Sequence, residues 1–514
     1  MTTPYFIGIG GTGARVAESL VHLCAAGLGP RRLKLFLIDP DRANGNLEKT
    51  RELITSYQET RERVRESVPA DMPLFRTELS TPSQLVWHIF GETQTRLRDF
   101  IGLNNLKQNE PELHDLAQLL FTDGELQEEL DQGFRGHPAI GAVVMTKAER
   151  DTVDPWKTFW DDVAAADQPG AIRAFLAGSV FGGTGAAGIP TFGAPEMIRN
   201  RASIQDGAQS KVALGALLVL PYFRVTDDGT GDEDRLFVTS NDFPIATKAA
   251  LEFYAEKQLA FDNVYLLGDP GSKVVGEFSP GAGKQQNRPH FAELVGALSA
   301  LDFFGKPAVE PDRYYVAARR TSDVTWADLP VVTEGDVNAE LTRLKHRMVT
   351  MAVFAYAMVD FGLPTLEADP DGVHYTWHDE HFKPKKRDQD ASRDVRAAGP
   401  MRTVRLTSEY AQKWLRWLAA MDEGPDGDLH LLDGARLFQG GELVHHEADL
   451  GAVGSLLREG GKGNDFNHFR NLLDAAPAPS DTLHAAGRYV SLFYSVARQF
   501  AEDTYAITPP AEGR

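Results

Sequence analysis

The chain contains 514 residues, of which 42% are hydrophobic and 25% charged, and its formal net charge is −20. This length predicts two or three domains, and such an acidic balance disfavours general binding to nucleic acid or to an anionic membrane. The single cysteine, Cys24, excludes an intramolecular disulfide and a multi-cysteine metal site. The N-terminus shows no signal peptide, and the longest apolar run, 348–359, is too short to span a bilayer. We therefore expect a cytoplasmic protein without a transmembrane segment.

The chain opens with a predicted βαβ unit. An apolar strand at 5–10 runs into GIGGTG, a helix with apolar spacing follows, and the next strand, 33–39, ends on Asp39. The glycines at Gly8, Gly10 and Gly13 satisfy the dinucleotide-binding fingerprint, and Asp39 lies near the position that contacts a ribose. A glycine turn of this kind also occurs where a strand and a helix merely pack tightly, so both interpretations stay open here.

A long polar region separates this unit from the next strong pattern. Residues 44–132 are rich in charge and predict helices with solvated faces, to which we assign no chemistry. GFRGHPAIG, at 133–141, is turn-rich and leads into a short apolar segment at 142–145.

The stretch FLAGSVFGGTGAAGIP, at 175–190, predicts a buried strand, a glycine-rich turn and the start of a helix. Glycines permit backbone conformations in which successive N–H groups line the inside of a tight curve. The positive end of the following helix points at the same spot, so the turn is suited to phosphate oxygens. Thr184 adds a hydroxyl to this loop. Tight packing alone is the competing explanation.

Strands and helices continue to alternate up to about residue 305. Strands are predicted at 211–223 and 261–269, and helices at 242–258 and 284–304. This alternation predicts an α/β domain with a largely parallel sheet. Beyond it the pattern is less regular, with possible strands at 314–319 and 324–332 and helices at 337–361, 407–421 and 485–505.

Taken together, these segments resemble the tubulin/FtsZ superfamily, in particular its divergent bacterial members. GIGGTGAR resembles the first glycine loop of that family, and FGGTGAA at 181–187 resembles its GGGTG(S/T)G signature. GFRGHPAIG is similar to the loop that lies at the γ-phosphate, and QQNRPHFAEL to the start of the central helix. The similarity covers about residues 5 to 330.

The resemblance implies a Rossmann-like GTPase domain at 1–305, with a helical insertion at about 42–132 and a long central helix, followed by a divergent α+β or helical part at 306–514. It implies binding of GTP or GDP with Mg²⁺, and head-to-tail self-association into filaments or oligomers, without nucleic acid. The residues implied for nucleotide binding are Gly10, Gly11, Thr12, Gly13, Asp39, Gly136, Gly182, Gly183, Thr184, Gly185 and Asn287.

The resemblance also bears on hydrolysis. In the family, a loop of pattern NxDxxD after the central helix supplies acids to the neighbouring subunit's site. DVTWADL places Asp323, Thr325 and Asp328 at these positions, so that only Asp328 retains an acid and is the candidate catalytic residue. We therefore expect weak or partner-dependent hydrolysis.

Other functions stay open. A nucleotide-regulated scaffold without turnover would fit the threonine at position 325, whereas a Rossmann-type oxidoreductase using NAD(P) would need only one glycine loop. His374, His378 and His381 have spacings that zinc sites use, but their polar surroundings favour a surface loop, and we predict no metal site there.

Overall fold

The computed structural model describes a little over three quarters of the chain in detail. The described residues are 2–42, 44–90, 95–130, 134, 137–204, 210–226, 243–269, 273–277, 287–318, 329, 337–368, 375–382, 394–421, 437–439, 442–443, 466–480, 482–505 and 507.

A parallel sheet of eight strands forms the centre of the molecule. Two further pairs of strands, β7 with β9 and β11 with β12, lie outside it. The strands are β1 (Thr3–Ile9), β2 (Arg32–Ile38), β3 (Glu78–Ser80), β4 (Val86–Trp87), β5 (Ile172–Ser179), β6 (Val212–Val219), β7 (Phe223–Thr226), β8 (Asn263–Gly268), β9 (Lys273–Glu277), β10 (Arg313–Ala318), β11 (Phe438–Gln439) and β12 (Glu442–Leu443).

Helices cover both faces of this sheet. They are α1 (Gly10–Ala25), α2 (Gly45–Ser67), α3 (Leu97–Ile101), α4 (Leu103–Asn109), α5 (Pro111–Leu120), α6 (Asp123–Gln127), α7 (Pro138–Lys147), α8 (Trp156–Ala165), α9 (Gly183–Gly193), α10 (Phe243–Glu256), α11 (Phe291–Gly305), α12 (Val337–Ala357), α13 (Leu363–Glu367), α14 (Thr376–His381), α15 (Ala398–Ala419), α16 (Phe466–Ala475) and α17 (Ala485–Tyr505). A π-helical turn, Met358–Gly362, joins α12 to α13.

The strand order of the sheet reverses between β1 and β5. The order is β10-β8-β6-β5-β1-β2-β3, with β4 also pairing with β2. From β1 the chain builds outward through β2, and from β5 it builds in the opposite direction through β6, β8 and β10. Because the paired strands are parallel, their carboxyl ends lie on one edge of the sheet. In open α/β sheets, ligands bind at this edge beside the reversal point.

Two hydrophobic cores lie on opposite faces of the sheet, because successive side chains of a strand alternate between its faces. Phe6 of β1 belongs to the core that contains α1, α2, α11, α12, α15 and α17. Its neighbours Tyr5 and Ile7 belong to the other core, which contains α7, α8 and α9. The helices that follow β1 and β5 therefore flank the sheet from opposite sides.

The predicted α/β class with a largely parallel sheet is confirmed, but parts of the sequence interpretation need correction. Residues 42–132 are more than an insertion of solvated helices, since β3 and β4 join the sheet and Leu53, Ile54 and Tyr57 of α2 are buried. The helix predicted at 284–304 begins at Phe291, because Pro289 precedes it and the His290 side chain accepts the N–H of Ala292 and caps it.

The predicted division at residue 305 stays a prediction. Strand β10 lies beyond it, and the C-terminal helices share one core with α1 and α2. Among the described residues, Ala339–Glu367 is apolar and long enough to cross a membrane, but 89% of its most apolar window is buried inside the protein. This segment is therefore placed as a core helix of the fold.

Candidate functional site at the carboxyl edge of β1 and β5

Strand β1 turns into helix α1 without an intervening loop. Gly10, the first residue of the helix, has φ +71°, a left-handed conformation that favours glycine. The N-cap residue, Ile9, offers no side-chain acceptor, and the first turn carries no acid. The first N–H groups of α1 therefore face the carboxyl edge of the sheet without a side-chain cap in the part of the chain that the structure describes.

Helix α9 follows β5 after a turn of three residues, 180–182. Its N-cap is Gly182, again without a side-chain cap, and its first turn also lacks an acid. Two helix N-termini thus present uncapped amides and the positive ends of their dipoles beside the reversal point of the sheet. Such an arrangement attracts an anion.

The two glycine loops touch each other. A Cβ built on Gly10 would lie 3.2 Å from the Cβ of Thr184 and 3.6 Å from the nitrogen of Gly185. Gly11, Gly182 and Thr184 are partly exposed, whereas Thr12 and Gly183 are buried. The exposed surface between the two loops therefore consists mainly of backbone atoms.

At two of the predicted phosphate-binding positions, Gly13 and Gly185, close packing against the sheet leaves no room for a side chain. A Cβ on Gly13 would lie 2.5 Å from the carbonyl oxygen of Ala177, and one on Gly185 would lie 2.4 Å from that of Ser179. Both glycines face strand β5, so they allow the helices to approach the sheet closely. The Cβ positions of Gly13 and Gly185 point towards the sheet and away from the exposed surface between the two loops.

The loop after β2 forms a third wall of the site. Asp39 is buried, with one carboxylate oxygen accepting the N–H of Asp41 at 2.9 Å and the other accepting the Asn44 amide at 3.2 Å. Burial raises the pKa of Asp39 from 3.8 to about 7. In this structure Asp39 shapes its own loop, and its predicted contact with a ribose stays a prediction.

Asparagines connect this wall to the region before α11. The Asn44 side chain caps α2 by accepting the N–H of Asn46 at 3.0 Å, and Asn46 Oδ1 accepts the N–H of Asn287 at 3.0 Å. A Cβ on Gly11 would be 3.4 Å from Asn44 Nδ2 and 3.6 Å from Asn46 Nδ2. The side-chain nitrogen of Asn287 is buried without a hydrogen-bond partner among the described residues. A buried amide donor of this kind calls for an acceptor.

A buried polar network fixes α11 against α1 next to the site. Arg15 Nε lies 2.5 Å from Glu293 Oε1, and the hydroxyl of Tyr222 donates to the same oxygen at 2.7 Å. The other Glu293 oxygen accepts the N–H of His290 at 2.9 Å. Both charged side chains are almost fully buried. The network therefore holds the helix start next to Asn287 in place.

The structure brings several of the predicted site residues together, and their role in binding stays a prediction. The residues that come together at one edge are Gly10, Gly11, Thr12, Gly182, Gly183 and Thr184. Asn287 is linked to this edge through its hydrogen bond to Asn46. Asn44, Asn46 and the network around Glu293 were missed. The pattern of asparagine directly before an apolar-periodic segment is a helix-start signal that could have identified Asn44.

Some predicted residues lie outside the described part of the chain. These are Gly136 of the predicted γ-phosphate loop, Asp323, Thr325 and Asp328 of the predicted catalytic loop, and His374. His378 is buried beside Trp377 on α14. Within the described ranges, no group of three or more His, Cys, Asp or Glu side chains could hold a metal ion.

The chain shows little similarity to known proteins. No family model matches the chain, and neither does any curated protein. Among solved structures, CetZ2 from Haloferax volcanii, in a GTPγS-bound protofilament, superposes with a TM-score of 0.24 and 16% identity over 52% of this chain. The match spans 49% of that protein, about half its length. At this degree of similarity the function has to be argued from the geometry of the site itself.

Proposed function

We propose that this protein binds a guanine nucleotide at the carboxyl edge of β1 and β5. The observation that carries the proposal is the pair of touching glycine loops, each opening an uncapped helix, on adjacent strands at the reversal point of the sheet. A polyphosphate bridging the two loops would receive backbone N–H groups and two helix dipoles. This local field offsets the repulsion expected from a chain of net charge −20.

Two loops favour a nucleoside di- or triphosphate over a dinucleotide. A dinucleotide-binding unit places its pyrophosphate on one glycine loop and uses an accessible acid for the ribose. Here the corresponding acid, Asp39, is buried with both oxygens engaged. The preference for guanine is supported by the motif resemblance and by the Asn287 amide donor, which has no hydrogen-bond partner among the described residues and would suit a carbonyl oxygen. Mg²⁺ would be held mainly by phosphates and water.

Calorimetry tests this proposal directly. We expect the purified full-length chain to bind GTP and GDP more tightly than ATP, and NADH weakly or not at all. Chromatography of the nucleotide released from the freshly purified protein gives an independent measurement. Tight binding of NADH without binding of guanine nucleotides would refute the proposal.

Assembly is the second part of the proposed function. The resemblance implies head-to-tail contacts in which the segment around Asp328 closes the neighbouring subunit's site, and heterologous contacts of this kind produce filaments or rings. We expect polymers with a slowly hydrolysed GTP analogue, measured by light scattering and electron microscopy. Asp328→Arg should weaken them. A strictly monomeric protein at tens of micromolar would favour a nucleotide-regulated scaffold instead.

Hydrolysis is expected to be slow in the isolated chain. Threonine stands where the family pattern has one of its acids, at position 325, so a single acid, Asp328, is left to position the attacking water. Fast phosphate release from the chain alone, unchanged by Asp328→Ala, would show that another group performs this step.

A further inference from the structure

Helix α5 turns its apolar side towards the solvent. A surface helix ordinarily buries its apolar stripe against the core, but the buried residue of α5 is Ala117. Its leucines are exposed instead, with exposed fractions of 46% for Leu113, 46% for Leu116, 83% for Leu119 and 62% for Leu120. A contiguous apolar surface of this kind on a soluble protein marks an interaction site.

The spacing of these leucines gives the surface its shape. Leu113, Leu116 and Leu120 stand at positions i, i+3 and i+7, so they form one stripe along the helix. Leu119, three residues after Leu116, widens this stripe. The helix has 10 residues, which corresponds to a length of about 15 Å. We call the surface formed by these four leucines the leucine face.

Acidic side chains border the leucine face. Glu112 lies on the same side of the helix as Leu116 and Leu119, at positions i, i+4 and i+7, and Asp115 lies one turn before Leu119. Both acids are exposed, as are Glu110 just before the helix and Asp123 just after it. The apolar stripe therefore has carboxylates within it and at both of its ends.

Few cations offset these acids. Lys107, at the end of α4, is the only lysine or arginine between residues 103 and 130. The Asp115 carboxylate has the His114 ring beside it, with Nδ1 3.2 Å from Oδ1. Within the described ranges, no lysine or arginine forms an ion pair with any of the four acids. Even with Lys107 and a protonated His114 included, the border of the leucine face keeps a net negative charge.

We propose that the leucine face binds a basic amphipathic helix of a partner protein. Apolar side chains of that helix, at spacings i, i+3 and i+7, would pack on the four leucines, and its lysines or arginines would face Glu112 and Asp115. The leucine face contains none of the residues of the proposed nucleotide site, so the inference does not depend on the proposed function.

Charge and shape disfavour other occupants. A second copy of the chain, bound through the same face, would bring the same acids of both copies together, because a two-fold contact uses one patch on both subunits. Anionic membranes and nucleic acid would be repelled by these acids as well. An extended peptide gains affinity from backbone hydrogen bonds at the edge of a sheet, whereas a helix offers no such edge. A basic helix uses both the apolar stripe and the charge.

Fluorescence anisotropy with the full-length chain tests the proposal. The probe is a labelled peptide, Lys-Leu-Ala-Lys-Leu-Leu-Lys-Ala-Leu-Lys-Ala-Leu-Leu-Lys, whose leucines recur at helical spacing. A second peptide of the same charge has serines in place of the leucines. We expect saturable binding of the first peptide that weakens as salt rises, and at least about fivefold weaker binding of the second.

Variants locate the binding surface, because a chain of net charge −20 attracts basic peptides in general. Leu119 is 83% exposed, so Leu119→Ser should leave the fold intact and weaken the first peptide by about fivefold. Its matched control is Ile245→Ser on α10, where the isoleucine is 71% exposed. Glu112→Lys should also weaken the peptide by about fivefold, and Glu256→Lys makes the same charge change on an exposed residue of α10.

Thermal melting and guanine-nucleotide titration of each variant separate effects on the leucine face from effects on the fold or on the nucleotide site. Three results would overturn the proposal: no saturable binding, equal weakening by each variant and its control on α10, or equal affinity for the serine-substituted peptide. The last result would show a general attraction of positive charge in place of an amphipathic site. A loss of self-association in Leu119→Ser, without peptide binding, would overturn it as well and would assign the leucine face to a second copy of the chain.

Discussion

The glycines of the two loops differ in what a side chain would meet. Gly11 faces the partly open side of α1, where a Cβ would be 3.4 Å from its nearest neighbour, Asn44 Nδ2. Gly13, two residues later on the same helix, has backbone atoms of β5 and β1 within 2.5 Å and 2.6 Å of that position. Identical residue types in one motif thus differ in their surroundings: Gly13 allows close packing of the helix, and Gly11 leaves room at the proposed site.

This difference predicts opposite outcomes for two matched substitutions. Gly13→Ala should lower the free energy of unfolding by about 2 kcal/mol or more, because the backbone of β5 cannot yield easily. Gly11→Ala should leave stability unchanged or raise it by up to about 1 kcal/mol, since alanine favours a helix. It should nevertheless weaken nucleotide binding by about tenfold, because its methyl group covers exposed amides. Urea denaturation and calorimetry measure both effects, and a Gly13→Ala protein of normal stability would contradict the packing argument.

Asp39 should give the protein a pH-dependent stability. Its folded pKa is raised from 3.8 to about 7 by burial, so between these values the folded state keeps a proton that the unfolded state has lost. Stability from this group therefore falls as pH rises from about 4 to about 7. The slope is at most about 1.4 kcal/mol per pH unit.

Asp39→Asn removes the titrating group and serves as the comparison. Measured by urea denaturation at pH 5 and pH 8, the wild-type protein should lose stability relative to the variant on going to the higher pH. An equal pH dependence of both proteins would show that Asp39 is already ionised in the fold.

At the scale of elements, the start of α11 is fixed by charge as well as by packing. Arg15 of α1 and Glu293 of α11 are buried, and Arg15 Nε lies 2.5 Å from Glu293 Oε1. The Tyr222 hydroxyl is hydrogen-bonded to both side chains. Removing one partner of a buried ion pair leaves an uncompensated charge and costs about 3–5 kcal/mol. We therefore expect Glu293→Gln to destabilise the protein by an amount in that range.

A double variant distinguishes the loss of the whole Arg15–Glu293 ion pair from the cost of leaving one charge buried alone. Arg15→Met combined with Glu293→Met removes both charges and should be substantially more stable than Glu293→Gln, because apolar replacements of a buried pair are often tolerated. Denaturant midpoints of the three proteins give the comparison. If Glu293→Gln alone stays within about 1 kcal/mol of the wild type, water or another group compensates Arg15.

The sequence predicted most elements but few of their tertiary contacts. Period and turn signals located β1, β5, β6 and their glycine loops because these features are local in the chain. The short strand β3 was missed, since three residues carry almost no pattern and their pairing with β2 is set by tertiary structure. The Arg15–Glu293 pair joins residues 278 positions apart, and no local signal reports such a partner.

At the scale of the whole molecule, the C-terminal helices complete the core that α1 and α2 form with the sheet. The Trp414 indole on α15 donates to the carbonyl oxygen of His22 at 3.2 Å, and the Trp417 indole stacks on the His22 ring with centroids 4.8 Å apart. His22 lies on α1, which also begins the first glycine loop. The same helix therefore carries the site at its start and the docking surface for α15 near its end.

A fragment ending at the predicted boundary tests how independent the two halves are. We expect residues 1–305 alone to lack a cooperative thermal transition and to bind a hydrophobic dye, because removal of α15 and α17 uncovers the apolar faces of α1 and α2. Loss of β10 would also leave β8 as an open edge of the sheet. A longer fragment, 1–318, keeps β10 and serves as the matched control. It should behave like the shorter fragment if the helices are decisive, whereas a cooperative transition of residues 1–305 close to that of the full chain would establish a domain boundary at 305.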